Sequence, residues 1–151
     1  MSLTAEPIAV HTDHEVEYAT FYVGEVLLGI PIREVQEINR NLDLTVVPHG
    51  PAAVRGVMNL RGEVVTVIDL RVVFGMRQGE VTRSSRNIVL TSGEEQISLL
   101  VDRIADVVTA REDKIESPPG NLSGIEDRFF SGVHRLENEL LLIVDVEEVL
   151  S

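Results

Sequence analysis

The sequence has no cysteine and no tryptophan, and two tyrosines and four phenylalanines are its only aromatic residues. Without cysteine the chain has no disulfides, no thiolate metal sites and no thiol catalysis. With so few aromatics, valine, leucine and isoleucine must build the core. A domain of 151 residues buries roughly 70% of the surface that its unfolded chain exposes, so it needs no metal for stability. These absences predict an aliphatic, all-protein core and favour a reducing compartment.

Positive charge and long apolar runs are also scarce. Lysine and arginine total 13 against 25 aspartate and glutamate residues, which gives a formal net charge of −12 at pH 7. Such a charge repels nucleic acid and anionic lipid. Aliphatic runs such as 140–144 are far too short to span a bilayer, and the N-terminus lacks the pattern of a signal peptide. We therefore expect a cytoplasmic protein with no nucleic-acid partner and no direct membrane insertion.

The chain carries an internal repeat. Residues 56–74 align without a gap to residues 132–150, an offset of 76, and six positions are identical. Upstream, residues 21–38 match 90–107 more weakly at an offset of 69. The repeat predicts one β-rich unit used twice, approximately over 19–75 and 87–150. Short strands separated by turn signals predict an all-β fold of two small barrels. Each barrel is then either completed by strands of the other or packed tightly against it.

Local signals refine this plan. Residues 1–16 are polar, carry no periodic pattern and are expected to form a flexible leader, with the folded domain over 17–151. Residues 33–38 predict one helical turn or an irregular strand entry, and Pro51 at the start of 51–54 predicts a single helical turn. Asp69 and Asp145 stand at equivalent positions of the repeat, each at the end of a strand. We expect both to cap short helices.

No set of residues predicts catalysis or a metal. His11 and His14 have metal-compatible spacing but fall in the expected leader, and a metal site needs fixed geometry. The alternative of an enzyme that uses Asp69 or Asp145 with a metal is weaker than the capping interpretation, because both residues open helical turns. We therefore expect no enzyme activity, no cofactor and no metal.

The two copies differ at one place that predicts recognition. The second hairpin of the first copy turns at Arg61-Gly62, whereas its counterpart turns at Glu137-Asn138. Upstream, Glu37 has Asp106 as its counterpart. Exposed ion pairs contribute little to stability, so a Glu37–Arg61 couple is better explained by binding than by folding. Val35 and Ile38 would add an apolar edge suited to a partner helix.

These motifs resemble those of the CheW family, the coupling proteins of bacterial chemotaxis. The likeness begins with the sequence GVMNLRG at 56–62 and continues through IDL at 68–70. It extends to VQEI at 35–38, VVP at 46–48, VDRIADV at 101–107 and the closing hairpin from Gly132 to Val146. The resemblance implies two packed, SH3-like, five-stranded barrels and a non-enzymatic adaptor, monomeric when free.

The resemblance also implies partners and site residues. The adaptor would join the cytoplasmic tip of chemoreceptors to the regulatory domain of the histidine kinase CheA. Glu37 and Arg61 would face the receptor, with Val35 and Ile38 lining the groove. Support for the hairpin would come from Gly56, Asn59, Leu60 and Gly62. A second, kinase-facing surface would include Ile115 and Leu122.

Some positions depart from the family pattern. Thr66 stands where the family commonly has proline, Ala53 replaces a larger apolar residue, and Gly120-Asn121 stands where an apolar contact is common. Alternatives to a free-standing chemotaxis adaptor are a CheW-like module of a larger, CheV-type adaptor and a coupling protein of a non-motility chemosensory pathway.

Overall fold

The computed structural model describes residues 14–120 and 124–151. Within them the chain forms two β-sheets, two short α-helices and three single turns of 3₁₀ helix. The strands are β1 Glu15–Val23, β2 Val26–Pro31, β3 Val35–Asn39, β4 Val54–Leu60, β5 Glu63–Asp69, β6 Arg86–Ser92, β7 Glu95–Val101, β8 Arg103–Ile104, β9 Val108–Arg111, β10 Phe130–Arg135 and β11 Leu140–Val144. The helices are α1 Leu70–Val73 and α2 Val146–Leu150, and the 3₁₀ turns are Ile32–Glu34, Glu112–Lys114 and Asp127–Phe129.

The two copies of the repeat exchange strands. One sheet has the order β10-β11-β2-β1-β8, with β9 also paired to β1, and the other has the order β3-β6-β7-β5-β4. The hairpin β1–β2 of the first copy thus joins β10–β11 of the second, and β6–β7 of the second joins β4–β5 of the first. The joints are parallel pairings of β11 with β2 and of β5 with β7. The structure therefore confirms that each barrel is completed by strands of the other copy. The first sheet contains six strands rather than five, because β8 and β9 are separate short segments along β1.

Strand registers reproduce the repeat residue by residue. Thr66 pairs with Ile97 in one parallel joint, and Leu142 pairs with Leu28 in the other. Thr66 and Leu142 are related by the offset of 76, and Leu28 and Ile97 by the offset of 69, so the repeat converts one pair into the other. Both antiparallel hairpins also contain a register shift at the same place, between Val54 and Gly56 and between Phe130 and Gly132. The halves are therefore related by a pseudo-twofold axis.

Three apolar clusters hold the sheets together. The largest joins residues of both sheets to the two helices and includes the fully buried side chains Phe21, Leu28, Leu70, Ile88 and Leu99. Each barrel also has a smaller cluster of its own. In the first barrel, formed by the six-stranded sheet, it lies around Tyr18, Leu27 and Leu141. In the second barrel, formed by the five-stranded sheet, it lies around Met58, Val65 and Val67. Burial of this kind stabilises the fold by roughly 25 cal/mol per Å² of apolar surface. The contact between the barrels is thus the largest part of the core.

Several local expectations can now be compared with the structure. The side chain of Asp69 accepts a hydrogen bond from the N–H of Arg71, and that of Asp145 accepts one from Glu148, so both caps are confirmed. Strand β1 begins at Glu15, so the last two residues assigned to the leader belong to the sheet. Residues 1–13 of the leader lie outside the described residues, and His14 lies in a turn.

Two further expectations concern the first copy. Residues 32–39 form a 3₁₀ turn followed by strand β3, so the helical turn and the strand both occur. The helical turn predicted at 51–54 is wrong. The N–H of Val54 donates to the carbonyl of Pro51 at 3.0 Å, which closes an isolated turn that leads straight into β4. Among the described residues, neither helix is long and apolar enough to cross a membrane.

A polar contact ties the β1–β2 turn of one sheet to the second sheet. Asp102 accepts hydrogen bonds from Arg71 at 2.7 and 3.1 Å and from the N–H of Gly24 at 2.6 Å. Burial of Asp102 raises the pKa of its carboxyl, but the hydrogen bonds from Arg71 and Gly24 outweigh burial, and the net pKa is lowered from its ordinary value. The ionised carboxylate is therefore the form that stabilises the fold.

The variant Asp102→Asn tests this contact. Loss of the charge weakens the hydrogen bonds, and we expect the free energy of unfolding at pH 7 to fall by about 1–2 kcal/mol. A lowered pKa in the folded state means that the stabilisation is complete well above pH 3.8, the ordinary value, and is lost as the pH falls through the folded-state pKa. Urea unfolding of both proteins from pH 7 to pH 3 should show the difference shrink at the acid end. A difference that stays constant would contradict this explanation.

Candidate functional site

The tip of the β4–β5 hairpin holds an arginine in a strained backbone conformation. The turn consists of Arg61 and Gly62, whose φ angles are 52° and 90°. Two-residue hairpin turns of this form need positive φ at both positions, because only then does the twist of the turn match that of the strands. Glycine adopts this conformation freely, whereas an L-residue with a side chain incurs roughly 1–2 kcal/mol. Arg61 is therefore a poor choice for local stability.

The residues beside the turn hold it in shape. The side chain of Asn59 accepts a hydrogen bond from the N–H of Gly62 at 3.0 Å. Leu60 is buried in the core of the second barrel, at 8% exposure. No atom lies within 4 Å of where a Cβ on Gly62 would be, so the glycine is required by its φ angle and not by crowding. The turn thus presents the Arg61 side chain to solvent, at 71% exposure.

Glu37 meets Arg61 from the opposite edge of the same sheet. Strands β3 and β4 are the two edge strands of the five-stranded sheet, which curls so that the edges approach. The Glu37 carboxylate lies 2.5 Å from the Arg61 guanidinium and also accepts a hydrogen bond from Asn39 at 3.0 Å. A β-bulge between Val35 and Glu37 shifts the register, so that Glu37 pairs with Val89. The pair therefore spans the opening of the second barrel.

The ion pair affects the titration of both partners. The hydrogen bond from Arg61 is the main cause that lowers the pKa of Glu37, and the bond from Asn39 adds to it. The hydrogen bond to Glu37 likewise raises the pKa of Arg61. Both groups are charged at neutral pH; Arg61 is largely exposed to solvent, whereas Glu37 is half-buried. The site thus offers a fixed pair of opposite charges that a partner can approach without displacing core residues.

The apolar residues predicted at this site differ in their exposure. Ile38 is 41% exposed, whereas Val35 is half-buried and packs against the largest core cluster. Val35 and Ile38 pair with Leu90 and Ile88, which are two residues apart on β6 and so share one face of the sheet. Although both lie on that face, Ile38 is the member of the pair exposed to solvent.

Sequence reasoning missed a second exposed apolar side chain beside the turn. Val64 lies two residues after Gly62, pairs with Asn59 across the hairpin and is 71% exposed. Its neighbour Val65 is fully buried. The alternation of side chains along a strand was the signal that could have found Val64, because a buried Val65 requires Val64 to point outward.

Gly56 fixes the loop that precedes the hairpin. A Cβ on Gly56 would lie 2.6 Å from the carbonyl oxygen of Thr45. The close approach allows Thr45 and Val57 to exchange two hydrogen bonds of 2.8 Å each. The loop between β3 and β4 is thereby held along the free edge of β4. Gly56 therefore supports the hairpin through backbone contact, away from the surface of the site.

The remaining candidate residues lie elsewhere. Ile115 is half-buried in the first barrel and its side chain packs over Gly132. Leu122 lies outside the described residues. Within the described parts of the chain, no three histidine, aspartate or glutamate side chains converge as metal ligands would. The pair His11 and His14 includes one residue outside the described range.

The architecture and the site together define a class of protein. Two barrels that exchange strands present a charged, solvent-facing hairpin tip, an arrangement for binding another macromolecule. The model of the CheW-like domain family matches residues 17–151, and the chain belongs to that family. It is a non-catalytic coupling adaptor of bacterial chemotaxis.

Individual relatives agree over nearly the whole chain. The chain is 31% identical over 149 residues to the chemotaxis protein CheW of Treponema pallidum, with 96% of this chain and 87% of the relative covered. It is 33% identical over 130 residues to the chemotaxis protein CheW of Bacillus subtilis, with 86% and 83% covered. The crystal structure of the scaffolding protein TtCheW from Thermoanaerobacter tengcongensis superposes with a TM-score of 0.83 at 27% identity and covers 90% of this chain and 88% of that one.

Gly56 and Gly62 form a matched pair for testing the hairpin. Gly56→Ala places a Cβ against the Thr45 carbonyl at a φ of +155°, whereas Gly62→Ala adds a Cβ in open space at a φ of +90°. We expect Gly56→Ala to lower the free energy of unfolding by about 2–3 kcal/mol and Gly62→Ala by about 1 kcal/mol. Urea denaturation measures both. Equal losses would show that crowding at Gly56 is not the cause.

Proposed function

We propose that this protein joins chemoreceptors to the histidine kinase CheA and that the Glu37–Arg61 pair is its receptor-docking site. The proposal rests mainly on the conformation of Arg61. An exposed residue with a positive φ weakens the local fold, so its retention at the turn is explained by what it contacts outside the chain. A scaffold named CheW with the same fold supports the same class of function.

The other copy of the repeat supports this assignment by contrast. Its equivalent hairpin ends β10 at Arg135 and begins β11 at Leu140, and the longer turn contains Glu137 and Asn138. Leu136 and Glu139 close that turn through a backbone hydrogen bond of 2.9 Å. Glu137 and Asn138, which correspond to Arg61 and Gly62 in the repeat, carry no positive charge. The backbone needs no arginine at the tip of such a hairpin, which favours recognition over stability.

The surroundings of the pair suit a helical partner. Ile38 and Val64 are exposed apolar side chains on the strands that carry Glu37 and the Arg61 turn. A partner helix with apolar residues at helical spacing can contact such side chains while its charged residues meet the ion pair. The cytoplasmic tip of a chemoreceptor, a helical hairpin, has the required shape. The apolar contacts would supply affinity and the charges would fix the orientation.

Contact with the regulatory domain of CheA would use a second surface. We assign it to the segment that includes Ile115 and Leu122. Ile115 exposes only part of its side chain, and neighbouring polar residues such as Glu116 and Arg135, joined by an ion pair of 3.0 Å, are more accessible. On this proposal the free protein is a monomer in the cytoplasm and reaches the membrane only through its receptor partners.

The variant Arg61→Glu tests the docking site. Reversal of an exposed charge should leave the melting temperature within a few degrees of the parent value. Receptor binding should weaken at least tenfold, about 1.4 kcal/mol, because the new carboxylate repels Glu37 and removes the cation from the turn. Binding is measured with a purified receptor tip fragment, and coupling by receptor-controlled autophosphorylation of CheA.

Arg135→Glu is the matched control. Arg135 is 72% exposed, pairs with Glu116 and lies on the equivalent hairpin of the second copy. It should leave receptor binding unchanged within twofold. If Arg61→Glu unfolds the protein, Arg61 is structural, and if both variants bind receptor normally, the docking assignment is wrong.

A further inference from the structure

The pseudo-twofold axis relates two surface grooves between the barrels, and the two grooves are covered differently. At the first position, the connection between the two copies, residues 76–85, crosses the groove. At the second, the equivalent groove is open and encloses about 720 Å³. Because the strand registers on both sides are equivalent, the two grooves have corresponding walls. The occupied groove therefore shows what kind of chain the open one can hold.

In the occupied groove the connection is held by charged side chains. Arg55 lies 2.9 Å from the carboxylate of Asp69 and donates to the carbonyl oxygen of Gly79 at 3.3 Å. The backbone of Gly79 also packs so closely on Arg71 that a Cβ there would lie 2.9 Å from its Nε. About 10 Å³ remains free beside Arg55 and Asp69, whereas a neighbouring pocket of about 460 Å³ stays open beside Gly24 and Asp102. A segment without regular secondary structure thus crosses this groove with its backbone in contact at Gly79, and a cation from the wall neutralises Asp69.

The open groove has the same backbone but different side chains. The repeat offsets relate five residues of the first groove to five residues that line the open one. Arg55 corresponds to Ser131, Asp69 to Asp145, Arg71 to Glu147, Asp102 to Arg33 and Gly24 to Gly93. The capping aspartate is kept. The arginine that neutralises it in the first groove has become a serine, and the second arginine has become a glutamate.

The consequence is a carboxylate without a cation. Asp145 accepts a hydrogen bond from the N–H of Glu148 at 3.3 Å, as a cap does. Within the described parts of the chain, no lysine, arginine or histidine nitrogen lies within 4 Å of the Asp145 or Glu147 carboxylate. Asp69 is 3% exposed beneath its covering segment, whereas Asp145 is only half-buried. Within the described residues the groove thus lacks a covering segment, and its one arginine, Arg33, forms no ion pair with either carboxylate.

We propose that the open groove binds an extended polypeptide segment of a partner protein, with a lysine or arginine of that segment directed at Asp145 and Glu147. The corresponding groove supplies the precedent for a segment without regular secondary structure, and the unpaired carboxylates supply the charge complementarity. This surface is separate from the proposed receptor-docking site, because Val35, Glu37, Ile38 and Arg61 do not line it.

A peptide that copies the known occupant is a suitable probe. The sequence of residues 76–86, fluorescein-labelled and carrying Glu80→Lys, keeps the Gly-containing centre and has four basic side chains. A second peptide with its basic residues replaced by glutamine is the charge control. Fluorescence anisotropy measures binding to the full chain, and amide chemical shifts in ¹⁵N-labelled protein locate it. We expect the shifts to centre on Ser131 and 143–147, and the control peptide to bind at least tenfold more weakly.

Three protein variants decide between specific and general attraction. Ser131→Arg restores in the chain the cation that Arg55 provides to Asp69, and Glu147→Lys reverses a groove charge. Each should weaken binding at least tenfold, with the circular dichroism melting curve confirming the fold. Glu137→Lys, an equal charge change on an exposed turn outside the groove, should change binding less than twofold.

Other outcomes would overturn the proposal. Equal weakening by Glu137→Lys would mean attraction to the net negative charge alone. Shifts centred on the β4–β5 tip would place the peptide at the docking site instead. Absence of binding at about 1 mM peptide, an affinity weaker than about −4 kcal/mol, would show that the groove does not accept an extended basic chain. Arg61→Glu should leave peptide binding unchanged, so failure here and failure of the docking assignment are distinguishable.

Discussion

The parallel pairing of strands from different copies is the constraint on which the rest of the structure depends. Strand β11 lies beside β2, and β5 lies beside β7, so neither sheet is complete without both halves of the chain. Parallel neighbours need a long crossover connection, which a hairpin cannot provide. The repeat satisfies this requirement by exchange, since each copy's second hairpin crosses to the first hairpin of the other. The large core cluster between the sheets follows from this exchange.

Because the backbone is duplicated, functional differences must lie in side chains at equivalent positions. The hairpin tips diverge into a tight Arg61-Gly62 turn and a longer turn with Glu137. The grooves diverge into one closed by the connection and one left open. In both cases the capping aspartates Asp69 and Asp145 are unchanged, because they serve the fold. Duplication thus separates the residues that maintain the architecture from those free to acquire partners.

The symmetry and the pairing of Glu37 with Arg61 could be predicted from the sequence, but the contacts that depend on distant strands could not. The offsets of 76 and 69 predicted the equivalence of the halves, and the unusual Arg61-Gly62 turn pointed to the tip. The bulge that sets the register of Glu37 and the partial burial of Val35 were not predictable, because both are set by pairing with β6, about fifty residues away. The helical turn predicted at Pro51 is wrong for a related reason. Propensity favoured a helical turn, but β4 begins at Val54 to meet β5, and tertiary pairing overrode the local signal.

The exchanged architecture also bears on how an adaptor transmits a signal. The interface between the barrels is a packed core, and protein interiors pack as densely as organic crystals and resist compression. The ion pair of Arg71 with Asp102, which also binds Gly24 of the other sheet, adds a polar contact across the same boundary. Bending between the barrels would break strand pairings as well as core contacts. On the proposed function, a displacement at the Arg61 tip would therefore carry both barrels with it.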